Sequence, residues 1–153
     1  MMDAFRDMPG HLVRRVQQMS TALFTEECGK HDITSVQFAA LSAIADHPGV
    51  DATRLSALIA FDRSTIGDVL ERLEAKGWVS RHASPGDRRV KLVRCTEAGA
   101  ALLRDVAPAV ARVQARLLEP LAPADRATML RLLRQLADIN DAAPVPLRLV
   151  AQR

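Results

Sequence analysis

Apolar residues recur at helical intervals along most of the chain. Leu12, Val16, Met19 and Leu23 follow one another at steps of four, three and four, so Met8 to Gly29 reads as an amphipathic helix with a glycine at its end. Phe38, Leu41 and Ile44 predict a second helix from about Ser35 to Asp46, closed by the turn signal "HPGV". Asp51 can cap a short third helix carrying Leu55, Leu58 and Ile59.

The pattern sharpens in "FDRSTIGDVLERLEAKGWV". Asp62 suits an N-cap, and Ile66, Val69, Leu70 and Leu73 stand at i, i+3, i+4 and i+7, a single apolar stripe. Gly77 falls where such a helix ends in a left-handed cap. "WVSRHA" and "RVKLVRC" then predict two short strands around a turn at Ser84–Arg89, with clean alternation only at Val90-Lys91-Leu92.

Two helices follow. One opens near Thr96 and carries Leu103, Val106, Val110, Val113 and Leu117 in a heptad-like seam suited to packing on another long helix. Pro108 inside it predicts a kink, or a break and restart. The other starts at Pro123 and carries Met129, Leu132, Leu133, Leu136 and Ile139. The tail "DAAPVPLRLVAQR" is expected to be extended or disordered. The expected class is mainly α with a small β-hairpin wing.

At 153 residues the chain is one domain, 1–153, within which 34–95 form one lobe, 8–29 and 96–140 a helical region, and 141–153 a tail. Hydrophobic content of 48% with 25% charged residues is that of a globular protein. No apolar run approaches a membrane span and the N-terminus has no signal-peptide core, so a cytoplasmic location without membrane contact is expected. Cys28 and Cys95 form no CxxC pair, which fits a reducing compartment. The net charge is only +3, but its distribution is uneven. From Arg54 to Arg94 there are nine basic residues against five acidic ones; the rest of the chain carries 12 against 13. The surplus in the middle suits a local anionic partner such as nucleic acid, or marks a solvated face.

Three helices followed by a hairpin make a winged helix-turn-helix, whose second helix-turn-helix helix enters the DNA major groove. Here that helix is Asp62–Lys76. Its apolar stripe faces inward, leaving Arg63, Ser64, Thr65, Gly67, Asp68 and Arg72 on or near the outer side, residue types that meet bases and phosphates. Gly67 inside a helix costs about 1 kcal/mol relative to alanine. Either DNA approaches the backbone closely there, or a neighbouring helix does. At the wing tip, Arg88 and Arg89 can reach the minor groove or flanking phosphates. Asp87, which DNA repels, is expected to pair with Arg89 and hold it outward; the plainer alternative is an exposed turn with an ion pair worth little.

These residues carry a resemblance. "STIGDVLERLEAKGWVSR" followed by "SPGDRRVKLVRCTEAG", with a helix before and two after, resembles the MarR (multiple antibiotic resistance regulator) family of bacterial transcription factors over nearly the whole chain. The family's Asp-x-Arg wing matches Asp87 and Arg89. The resemblance implies a homodimer built from the first and last two helices, bound to a pseudo-palindromic double-stranded DNA operator with half-sites about one helical turn apart. It also implies release by a small phenolic or aromatic acid. His11 and Arg15 lie together at one border of the first helix's apolar face and could clamp a carboxylate. Alternatively Arg15 lays its stem over the dimer interface and pairs with an acid. The start "MPGHLVRRVQQM" resembles members that govern aromatic and pyridine carboxylates such as hydroxynicotinate. Trp78 is a further pocket candidate, with a core role as its alternative.

Other switches have less behind them. Some members sense oxidants through a cysteine near the first helix, with tyrosines beside it. Cys28 lies at that helix's far end, there is no tyrosine, and Glu26 and Glu27 would raise its thiol's pKa. Cys95 reads as a small buried hydrophobe. His11, His31, His47 and His82 are scattered, and no catalytic, metal or phosphate-loop motif is present, so neither an enzyme nor a cofactor is expected. A winged helix used only for protein contacts is the remaining alternative; it predicts no salt-dependent DNA binding.

Overall fold

The computed structural model describes residues 2–137. The expected tail and Ile139 lie outside them. In chain order the elements are α1 (Met2–Arg6), α2 (Pro9–Cys28), a 3-10 turn (Gly29–His31), α3 (Ser35–Asp46), β1 (Val50–Asp51), α4 (Ala52–Ile59), α5 (Arg63–Ala75), β2 (Val79–Ala83), β3 (Lys91–Cys95), α6 (Glu97–Leu118) and α7 (Pro123–Leu136). The class is mainly helical with a small sheet, as the hydrophobic pattern predicts. Neither α1 nor β1 was expected. β1 is two residues long, too short to show a period, and exists because Val50 pairs with Val93 and Asp51 with Leu92.

Helix starts follow from local chemistry. Thr34 opens α3 with a capping box: the Gln37 N–H donates to its hydroxyl and its own N–H donates to the Gln37 side chain, each at 3.2 Å. Asp51 accepts from the Arg54 N–H at 2.8 Å and Thr96 from the Gly99 N–H at 3.1 Å. Helix α5 ends in a Schellman cap. Gly77 takes φ +74, its N–H donates to Glu74, and the Trp78 N–H donates to Leu73. The Thr96 hydroxyl then donates to the Gly77 carbonyl at 2.6 Å, tying the start of α6 to the end of α5. Gly99 packs so closely on this junction that a Cβ there would lie 2.2 Å from the Trp78 carbonyl oxygen.

The sheet has strand order β1-β3-β2, all antiparallel, with Val79 opposite Cys95 and Ala83 opposite Lys91. One core joins Leu41 and Ile44 of α3, Leu55 of α4, Ile66 and Leu73 of α5, Val93 of β3, and Val106 and Val113 of α6. The α6 seam packs on a long helix, as its pattern predicts, and that helix belongs to the same chain. Val106, Ala109 and Val113 are buried within the chain, where α6 packs along α2 and against α3. Glu27 reinforces that packing by accepting from Arg112 at 2.7 Å and Arg116 at 2.9 Å, while Glu26 pairs with Arg116 at 3.1 Å. Hydrogen bonds from Arg112 and then Arg116 hold the Glu27 carboxyl below its ordinary range.

Pro108 does not break α6, which runs continuously from Glu97 to Leu118. Pro108 is exposed, so the carbonyl it leaves without a donor can bind water, and the buried stripe on the other side keeps the helix in place. What remains uncovered is the apolar face of the N-terminal half of α2 (Leu12, Val13, Val16, Met19) and of α7 (Leu130, Leu132, Leu133, Leu136), with Leu136 79% exposed. Among the described residues no helix is long and apolar enough to cross a membrane.

Candidate nucleic-acid interface

Asp62 organises the start of α5. Its Oδ1 accepts from the Thr65 N–H at 2.8 Å and the Ser64 hydroxyl at 2.7 Å, and its Oδ2 from the Thr65 hydroxyl at 2.8 Å. Led by the backbone bond, these three donors lower the Asp62 pKa from 3.8 to about 2. They also change the roles open to two expected contacts. The hydroxyl protons of Ser64 and Thr65 are already committed, so as placed these side chains offer oxygen acceptors and not donors to a phosphate.

The turn from α4 into α5 passes through Ala60, in left-handed geometry at φ 56, and Phe61. It sets α5 beside the wing. A hollow of about 270 Å³ between the start of α4, the outer side of α5 and the wing is lined by Thr53, Arg63, Gly67, Arg81, Arg89 and Lys91, among others. Arg63 and Gly67 from α5 and Arg89 from the wing thus share one mainly basic concavity. Among the described residues, and apart from its own helix turn, nothing lies within 4 Å of where a Cβ on Gly67 would stand, so no neighbouring helix there explains it and the packing alternative falls.

Asp87 holds the wing tip as expected. Its carboxylate accepts from the Arg89 N–H at 3.0 Å and from the Arg89 guanidinium at 3.2 Å. These bonds, side chain first, lower the Asp87 pKa. The Arg89 side chain is nevertheless 91% exposed, presented and not buried. Arg88 is exposed beside it.

Arg72 stands elsewhere. It lines a second hollow, of about 520 Å³, with Thr25, Thr34, Gln37 and Lys76, on the α3 side of α5. Asp68 is exposed on the arc between the two hollows. Sequence reasoning passed over Arg81 and Lys91. Arg81 is held by Glu74 at 2.6 Å, a pairing seven residues apart that only the antiparallel return of β2 creates. Lys91 was legible, being an exposed cation alternating with Leu92 in the wing strand.

A model of the MarR family matches residues 31–90, the span that holds this interface. The HTH-type transcriptional repressor NicR of Pseudomonas putida is 38% identical over 104 residues, which cover 68% of this chain and 66% of NicR. Bordetella bronchiseptica BpsR, whose DNA binding is regulated by 6-hydroxynicotinic acid, superposes with a TM-score of 0.82 at 31% identity, over 89% of this chain and 97% of its own. The chain belongs to the MarR family. A further MarR-like structure, the transcriptional repressor CouR bound to a 23-mer DNA duplex, superposes with a TM-score of 0.81 at 28% identity, over 90% of this chain and 97% of its own.

The expected effector residues of this MarR-family chain are not gathered in one place within it. His11 stacks on Phe5 with ring centroids 4.5 Å apart, near the start of α2, and Arg15 is exposed one turn on. Trp78 stands apart from both as a site residue. It packs partly buried against the core, and Lys76 lies over its ring at 4.6 Å, so the core alternative describes it better. An apolar hollow of about 420 Å³ between α3 and α6 is lined by Phe38, Ser42, Asp46, Leu103 and Val110, with no cation among the described residues. Cys28 has no exposed surface, and burial, then Glu27, push its thiol pKa up, which gives oxidation no route. Cys95 is only partly buried; its sulfur lies against Gly99.

Proposed function

We propose that this MarR-family chain acts in the cytoplasm as a homodimeric transcriptional repressor. It binds a pseudo-palindromic operator and is released by a small aromatic carboxylate of the hydroxynicotinate or phenolic-acid type. The single observation that carries the reading is the shared basic concavity: Arg63 and Gly67 of α5 and Arg89 of the wing line one hollow. In this reading α5 occupies the major groove and the wing tip, with Arg88 and Arg89, follows the adjacent minor groove. The uncovered apolar faces of α2 and α7 form the dimer. His11 and Arg15 border the α2 face and meet the effector's carboxylate where two chains come together, and the α3–α6 hollow takes its ring. NicR and the regulation of BpsR by 6-hydroxynicotinic acid support the effector class.

A fluorescence-anisotropy titration with DNA from upstream of the protein's own gene tests this, at several salt concentrations and with a panel of aromatic acids including 6-hydroxynicotinate. Tight binding that falls steeply with salt and is reversed by one acid is the expected result. Arg89→Ala should weaken operator binding at least about tenfold with an unchanged melting temperature, because the wing tip supports no core. Wild-type affinity in that variant would remove Arg89 from the interface. Absence of binding at low salt would favour a protein-contact module instead.

A further inference from the structure

The outward arc of α5 carries charge in an order that its two flanking hollows make meaningful. Ile66, Val69, Leu70 and Leu73 are buried. At roughly 100° per residue, the opposite arc runs from Arg63 through Gly67, Glu71, Ser64 and Asp68 to Arg72. Arg63 lines the hollow toward the wing and Arg72 the hollow toward α3, so the two arginines mark opposite edges of the arc. Between them Asp68 and Glu71 are exposed, and neither joins an ion pair among the described residues.

A helix with its side chains is about 10–12 Å across and the major groove about 12 Å wide, so a helix seated there fills it. The two phosphate backbones then pass along its sides, and base edges lie under the middle of its outward arc. Arginines at the edges suit phosphates. A carboxylate in the middle is repelled by phosphates and is satisfied only by a hydrogen-bond donor on a base. In the major groove those donors are the cytosine N4 and adenine N6 amino groups. Adenine sets the acceptor N7 beside its amino group, which opposes a carboxylate; cytosine's own edge carries no acceptor. Asp68 lies in the first half of α5, the half that reaches base edges when such a helix docks. Glu71 lies nearly a turn further on.

We propose that Asp68 is a specificity-determining residue that accepts a hydrogen bond from the N4 amino group of one cytosine in each operator half-site. Arg63 and Arg72 hold the phosphates on either side. The inference rests on the DNA-binding reading above and adds the base that is read. The same carboxylate disfavours random DNA, where no amino group is in register with it.

Selection from a duplex library with randomised half-sites tests it, with the full chain as wild type and as Asp68→Ala, Asp68→Asn and Glu71→Gln. Wild type should enrich cytosine about tenfold at one position in each half-site. Asp68→Ala should lose that preference and bind random DNA several-fold more tightly. Asp68→Asn should move it to adenine, whose N6 and N7 match an amide. Glu71→Gln should leave it unchanged. Asp68 is exposed and caps no helix, so the variants should melt with wild type. If Asp68→Ala keeps every base preference, or if Glu71→Gln abolishes the cytosine instead, the inference is overturned and the regulator reading stands. Wild type that enriches no sequence at low salt overturns both.

Discussion

Gly67 shows how one residue separates stability from binding. Within a helix, glycine is less favourable than alanine by about 0.8–1.0 kcal/mol, and at this position nothing in the fold requires it, since the space around its Cβ site is open. Gly67→Ala should therefore raise the melting temperature by about 2–4 °C while weakening operator binding several-fold, because the added methyl enters the hollow shared with Arg63 and Arg89. Calorimetry and anisotropy on the same preparation check both halves. A stabilised variant with full affinity would show that DNA does not approach the backbone there. Gly99 is the contrasting case, with the Trp78 carbonyl 2.2 Å from its absent Cβ.

At the scale of the element, α5 depends on the ionised Asp62 at its start. The folded pKa is depressed from 3.8 to about 2, so the capping contribution is complete above the ordinary value and is lost as pH falls through the folded one. Thermal unfolding of wild type should lose stability between about pH 4 and pH 2 partly for this reason. Asp62→Ala should melt lower at neutral pH and show a shallower decline over that window. Parallel pH curves for the two proteins would mean that the cap contributes nothing. The variant should also weaken DNA binding, because it frays the first turn of the helix that the proposed reading seats in the major groove.

At the scale of the molecule, the uncovered apolar faces of α2 and α7 need a partner. Val16→Asp places an unpaired charge on the α2 face and should weaken dimerisation roughly a hundredfold or more, measured by sedimentation. Val16 does not belong to the buried core, so the monomer should keep its helical circular dichroism. It should also bind a single half-site only weakly. A variant that sediments as a dimer would place the interface on other surfaces. Arg15→Ala should leave dimer and operator affinity within about twofold of wild type, in line with an exposed substitution. It should abolish release by the effector. Release at the wild-type concentration of acid would take Arg15 out of the site.

What the sequence determined by itself was local. Helical periods, the caps at Asp51, Asp62 and Thr96, the left-handed glycine at 77 and the Asp87–Arg89 pair are interactions within a few residues, and short-range chemistry leaves a mark in the order of residues. The winged helix-turn-helix, and the presence of Arg63, Gly67 and Arg89 on its α5 and wing, were legible for that reason. Tertiary structure decided everything that depends on which distant segments meet. It gave the α6 seam to α2 within the chain, clamped by Glu27, Arg112 and Arg116, and left apolar faces of α2 and α7 uncovered. It set Arg72 on the opposite side of α5 from Arg89, packed Trp78 partly buried against the core, and made β1 a strand by pairing it with β3. An apolar stripe states that a face must be covered and carries no mark of its partner; only the packing of the whole chain makes that choice.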